Sequence, residues 1–105
     1  MNENKHYDVI VSDRAKRMLS SHIHFIAQVN KEAASSKKKE IMDALRSLCQ
    51  FPQRFPFFTE PYIPQNKYHK MFVKKWYIIL YQIKDNKVYV DSIIDCRKNY
   101  NWLIR

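Results

Sequence analysis

The 105-residue chain contains no glycine. The glycine-rich loops that close on phosphate in P-loop and dinucleotide-binding proteins are therefore excluded, because a Cβ at those positions blocks the approach. Cysteine is nearly as scarce. Cys49 and Cys96 lie far apart in sequence, form no C-x-x-C pair and read as idle thiols ahead of a disulfide, a zinc site or a nucleophile. The four histidines, His6, His22, His24 and His69, match no metal-ligand spacing, since the pair at 22 and 24 points to different sides of a helix. No metal and no cofactor is expected. No apolar run approaches the roughly 18 to 20 residues that cross a bilayer. The polar start Met1-Asn2-Glu3-Asn4-Lys5 is not a secretory signal, so the expected location is the cytoplasm, with no membrane partner.

Acidic residues are also few: 10 Asp and Glu stand against 19 Lys and Arg, for a net charge of +9. A surplus of that size points to an anionic partner, either nucleic acid or an acidic protein. At 46% hydrophobic and 28% charged residues the chain is too apolar for disorder, and its length gives one domain, residues 1–105.

Residues 5–11 read as a first strand with Tyr7, Val9 and Val11 on one face. Ser12 and Asp13 then offer cap side chains to a helix whose apolar stripe is Ala15, Met18, Leu19, His22, Ile23, Ile26 and Val29. His22 lies on or beside that stripe and reads as a packed, hydrogen-bonded histidine rather than a catalytic one. Asn30 with Glu32 marks a second start, and Ala34, Ile41, Ala44, Leu45 and Leu48 form a second stripe that runs out before Pro52. The run Lys37-Lys38-Lys39 reads as the solvated face of this helix, with attraction of RNA or DNA as the alternative.

All four prolines, at 52, 56, 61 and 64, fall between residues 51 and 64, interleaved with Phe51, Phe55, Phe57, Phe58 and Tyr62. This stretch reads as an ordered irregular connection whose aromatics fill core edges. Three strands follow, at residues 68–74, 76–84 and 87–96, with a hairpin turn at Asp85-Asn86 and a less marked turn at Lys74-Lys75. Apolar residues on both alternating faces of the middle strand mean that it is covered on both sides. Residues 97–105 are a polar tail ending on Trp102, Leu103 and Ile104. The order β-α-α-β-β-β makes an α+β domain in which the helical hairpin of residues 13–50 packs on one face of a small, mainly antiparallel sheet.

Residues 67–105 hold nine cations against three acids. Within them Lys70, with His69 beside it, lies on one strand, Arg97 ends another, and Tyr100 follows. Pairing of those strands could bring the four onto one concave face. Cations, an imidazole and a phenol suffice to cleave a phosphodiester without metal: one group takes the 2′-hydroxyl proton, one protonates the leaving oxygen, and cations hold the developing charge. The other reading of a basic sheet with neighbouring aromatics is a binding face, to which Lys74, Lys75, Lys98 and Trp102 would contribute.

The pattern Y-D-V-I-V-S-D-R-A-K-R-M-L at residues 7–19, the Ala33-Ala34 pair, L-R-S-L-C-Q-F-P-Q-R-F-P at 45–56, Y-H-K-M-F-V-K-K-W-Y-I-I-L-Y-Q-I at 68–83 and V-Y-V-D-S-I-I-D-C-R-K-N-Y at 88–100 resemble RelE/ParE-type toxins of bacterial type II toxin–antitoxin systems. The resemblance covers nearly the whole chain. It implies a growth-arresting toxin of plasmid-stabilisation type, an acidic cognate antitoxin bound in a hetero-oligomer, and no cofactor. Two branches of the family imply two targets. The endoribonuclease branch cuts messenger RNA in the ribosome, and this is the expected mode of action, with gyrase inhibition or a stand-alone basic nucleic-acid-binding domain as the alternatives. By position Lys70 matches its strand lysine, Arg97 or Lys98 the arginine after the last strand, and Tyr100 or Trp102 the terminal aromatic, with His69 or Lys70 as proton acceptor. Those nucleases carry an arginine directly after the tyrosine that corresponds to Tyr77; this chain has Ile78, which cannot stabilise phosphorane charge. The other branch inhibits DNA gyrase without catalysis, lacks the nuclease residues and shares the long helical hairpin.

Overall fold

The computed structural model describes residues 6–74 and 77–95. The sequence expectations for residue 5, for Trp76 and Cys96, and for the tail at 97–105 lie outside them. The order is β1 (Asp8–Val11), α1 (Asp13–Ala27), α2 (Lys31–Ser47), a single 3₁₀ turn (Pro52–Arg54), β2 (His69–Val73), β3 (Tyr77–Lys84) and β4 (Lys87–Asp95). The α+β arrangement read from the sequence is present, with strand ends trimmed by a residue or two.

Ser12 joins three elements at once. Its Oγ accepts from the Ala15 N–H at 2.9 Å, which starts α1, and donates to the Asp91 carbonyl at 3.0 Å. Its own N–H donates to the Val90 carbonyl at 3.0 Å, extending the β1–β4 pair by one bond. Asn30 starts α2 in the same way, its Oδ1 accepting from Ala33 N–H at 3.0 Å. Between the two caps the chain reverses over three residues, too few for anything but an antiparallel hairpin.

Four strands form one sheet in the order β1-β4-β3-β2. β3 pairs antiparallel with both β4 and β2, while β1 lies parallel to β4, with Val9 beside Val88 and Val11 beside Val90. The β3–β4 register slips between Leu80, opposite Ser92, and Tyr81, opposite Val90. Asp91 is the extra residue of this bulge, and its carbonyl is the one that Ser12 uses.

The alternation of β3 feeds two separate cores. Tyr77, Ile79 and Tyr81 face the helices and pack with Ile41, Leu45, Leu48, Val88, Val90 and Ile93. Ile78 and Leu80 face the other way and lie under Phe58, with Ile63, Tyr68 and Ile94 around them. That second cover comes from the connection after α2, which hydrogen bonds alongside β2: Phe58 N–H donates to Tyr68 O at 2.6 Å and Lys70 N–H to Pro56 O at 2.9 Å.

Three expectations need correction. Val29 does not belong to the helical stripe and is 83% exposed, because α1 ends at Ala27 and the turn, not the helical period, sets its direction. Ile26, on the last turn, is only half-buried. Of the five aromatics in the connection, Phe58 is buried and Phe55 packs on the main core, but Phe51 (62%) and Tyr62 (91%) are exposed, as is Phe57. One thin layer suffices to seal the second face; Ile63 takes the inward place there, and Tyr62 beside it is left outside. Of the lysine run on α2, Lys38 and Lys39 are exposed, Lys39 pairing with Asp43, while Lys37 is half-buried and pairs with Glu40. Arg46 and Lys39 together hold the Asp43 carboxyl below the usual carboxylate range.

These positions give an unequal pair of truncations. Leu45→Ala empties a sealed site and is expected to cost about 2 to 5 kcal/mol, whereas Ile26→Ala, on a half-exposed turn, is expected to cost under about 1.5 kcal/mol. Urea denaturation of both variants checks this, and equal losses would mean that the helix faces are assigned wrongly.

Candidate functional site

Of the residues singled out from the sequence, His69, Lys70 and Lys74 are among those described, and they lie on or directly after β2, the edge strand. Successive side chains of a strand point to opposite faces, and this separates His69 from Lys70. His69 shares the helix-side face with Met71 and Val73; Lys70 shares the opposite face with Phe72. The expectation that the two would work on one concave face therefore fails on strand alternation.

His69 is 8% exposed and fixed on three sides. Its Nδ1–H donates to the Phe55 carbonyl at 2.7 Å. Its ring stacks on Tyr81, with centroids 5.3 Å apart and planes 15° apart, and packs against Phe57 at 4.2 Å. Tyr81 is fixed in turn, its hydroxyl donating to the Pro52 carbonyl at 2.6 Å, and burial pushes that phenol well above its ordinary pKa. Both groups tie the connection to the sheet. Neither is placed to exchange a proton with a ligand on the Lys70 side.

Lys70 stands on the opposite face with its ammonium near two rings, 5.9 Å from the centroid of Phe58 and 5.8 Å from that of Phe72. Lys67 stands similarly over Tyr68 at 5.2 Å. Cations at these distances are attracted by the ring faces. Lys74 ends the strand in a left-handed conformation at φ 57° and is exposed. Lys70 and Lys74 are thus brought to one edge of the sheet, while Lys75, Arg97, Lys98, Tyr100 and Trp102 lie outside the described residues. Ile78, the β3 neighbour of Phe72, is 1% exposed in the apolar cluster under Phe58.

One buried polar pair was not anticipated as such. Asp95, at the end of β4, is buried with its Oδ2 3.4 Å from His22 Nδ1, and the His22 ring meets Tyr77 edge-on at 5.9 Å. The sequence signal was available: Asp95 falls two residues after buried Ile93, on the same face of a strand, where a carboxylate needs a polar partner. The pair fixes α1 against the last strand. Among the described residues, no three His, Cys, Asp or Glu side chains come together in a way that could hold a metal ion.

The fold has a counterpart. The solved structure of a chromosomal ParDE toxin–antitoxin system from P. aeruginosa superimposes with a TM-score of 0.72 at 15% identity, over 88% of this chain and 98% of that one, a likeness of fold. No curated protein sequence matches the chain. The family described as "ParE toxin of type II toxin-antitoxin system, parDE" matches residues 9–100. A match of that extent runs from β1 through both helices to β4 and beyond, and it makes the chain a member of the ParE toxin family of type II toxin–antitoxin systems.

Proposed function

We propose that this chain is the toxin of a toxin–antitoxin pair, that an acidic antitoxin holds it inactive in a hetero-oligomer, and that the free toxin arrests growth by docking on DNA gyrase rather than by cutting messenger RNA. The observation that carries the choice is Ile78. It occupies the position where the ribosome-dependent nucleases of the wider family place an arginine, and it is sealed in an apolar cluster with Phe58 and Leu80. A cation introduced there would lose its hydration without a partner. The fixed His69 supports the same reading, because it removes a general base from the side that Lys70 occupies.

The antitoxin reading rests on charge and on a cleft. Between α1 and α2 an opening of about 320 Å³ has Leu19 and Ile23 in its wall, together with Lys16, Ser20, His24 and Lys38. An amphipathic acidic segment finds both apolar contact and opposite charge there, and its ordering on the toxin must be outweighed by that burial. The product of the adjacent gene is expected to be acidic and to co-purify with this chain. Lys16→Glu combined with Lys38→Glu is expected to weaken that capture at least tenfold in a titration, and unchanged capture would place the antitoxin elsewhere.

The nuclease reading keeps Lys70 as its strand lysine and assigns charge stabilisation to Arg97 and Lys98 and proton donation or base stacking to Tyr100. Induced expression of the toxin separates the two readings. Gyrase-directed action predicts DNA breaks and replication arrest before protein synthesis falls, with transcripts intact. Transcripts cut within ribosomes, with protein synthesis lost first, would establish the nuclease reading in its place.

A further inference from the structure

We infer that the open face of β2 is a platform for single-stranded DNA, with Phe72 stacking on a base and Lys67, Lys70 and Lys74 holding the phosphates on either side. This deepens the gyrase reading and rests on it for the choice of DNA, since a gyrase-directed toxin meets its target on DNA.

The first observation is the alternation of cation and ring. Along β2 and the residue before it, Tyr68, Lys70 and Phe72 fall on one face, with Lys67 preceding and Lys74 following. Two residues of an antiparallel strand advance about 6.8 Å, comparable with the step from one phosphate to the next along an unstacked strand. Two of the three lysines are already near a ring: Lys67 by Tyr68, Lys70 by Phe58 and Phe72. A base stacked on Phe72 therefore brings its phosphates within reach of cations that need no rearrangement.

The second observation is exposure without an apolar purpose. Phe72 is 52% exposed, although its cross-strand neighbour Ile78 is sealed. Tyr62 stands fully open beside Ile63, a residue of the cluster that covers the same face. Rings left in water next to a finished core serve contact with something flat and apolar, and every base presents such a surface.

Charge complementarity selects the class of partner. Residues 51–74 carry Arg54, Lys67, Lys70 and Lys74 against a single acid, Glu60. An acidic protein would also satisfy the charge, and the oligo-glutamate arm of the test below separates it from nucleic acid. Duplex DNA would offer phosphate while hiding its bases in the stack. The neighbouring side chains Phe58, Ile78, Leu80 and Ile94 are apolar and the lysines are donors only. Tyr68 and Tyr62 carry hydroxyls at this face, so the choice of DNA over RNA rests on the gyrase reading and is decided by the oligo-U arm of the test.

The test is fluorescence anisotropy of the full-length chain with a labelled oligo-dT of about 12 nucleotides, a length within the range single-strand binders cover. Oligo-dT is expected to bind more tightly than a duplex of the same length, and oligo-U no more tightly than oligo-dT. Phe72→Ala is expected to weaken binding about tenfold and Phe72→Tyr to restore it. Lys70→Gln is expected to lower the slope of log affinity against log salt by about 0.7. A Phe72→Ala variant that binds as well as the parent, equal affinity for the duplex, or a tenfold preference for oligo-U would each overturn the inference. So would capture of an oligo-glutamate peptide that depends on Phe72 where oligo-dT fails to bind, which would make the face a protein surface. The assay contains no gyrase, so its failure removes this site alone, whereas cut transcripts in cells remove the gyrase reading alone.

Discussion

A sheet whose central strand buries side chains on both faces must be covered twice, and two helices on one side cover it once. The rest of this structure follows from how the second cover is supplied. The connection after α2 crosses to the far face and places Phe58 on Ile78 and Leu80. It is secured by four hydrogen bonds whose acceptors or donors belong to Pro52, Phe55, Pro56 and Phe58. Two of these are made by sheet side chains, Tyr81 and His69, reaching out to backbone carbonyls. Proline suits the task because a segment that runs beside a sheet without joining it fully gains from having fewer donors to satisfy.

The same cover decides where chemistry can occur. Filling the far face with Phe58, Ile63 and Tyr68 removes the room in which a central-strand cation could meet a phosphate. Using His69 and Tyr81 as ties removes an imidazole and a phenol from duty as acid and base. Among the described residues, the edge carries donors and rings, Lys67, Lys70, Phe72 and Lys74. The stability of the sheet and the proposed mode of action thus draw on the same packing.

Much of the fold was legible because its signals are local. Ser12 and Asn30 sit where a cap must be and cap as expected; the stripe ending in Leu45 and Leu48 carries the helical period; Asp85 takes the left-handed conformation that the Asp85-Asn86 turn requires. The two-sided apolar pattern of β3 also foretold two covers. What supplied the second cover was visible only as a dense run of prolines and aromatics, and periodicity cannot say which ring of such a run points inward. The site was less legible, because convergence is a long-range property. His69 and Lys70 are neighbours in sequence and strangers in space, and the partnership of His22 with Asp95 spans 73 positions.

The parallel pairing of β1 with β4 has a kinetic consequence. Ser12 meets the carbonyl of Asp91 across 79 positions of the chain, so β1 pairs with a strand far from it in sequence. Contacts of such sequence separation are slow to form, because the loop between them must close before any of their bonds can form. The helical hairpin and the β3–β4 ribbon close early, from residues near one another, while β1 waits with both of its edges open. This one distant pair is thus the contact whose sequence separation weighs most on the folding rate.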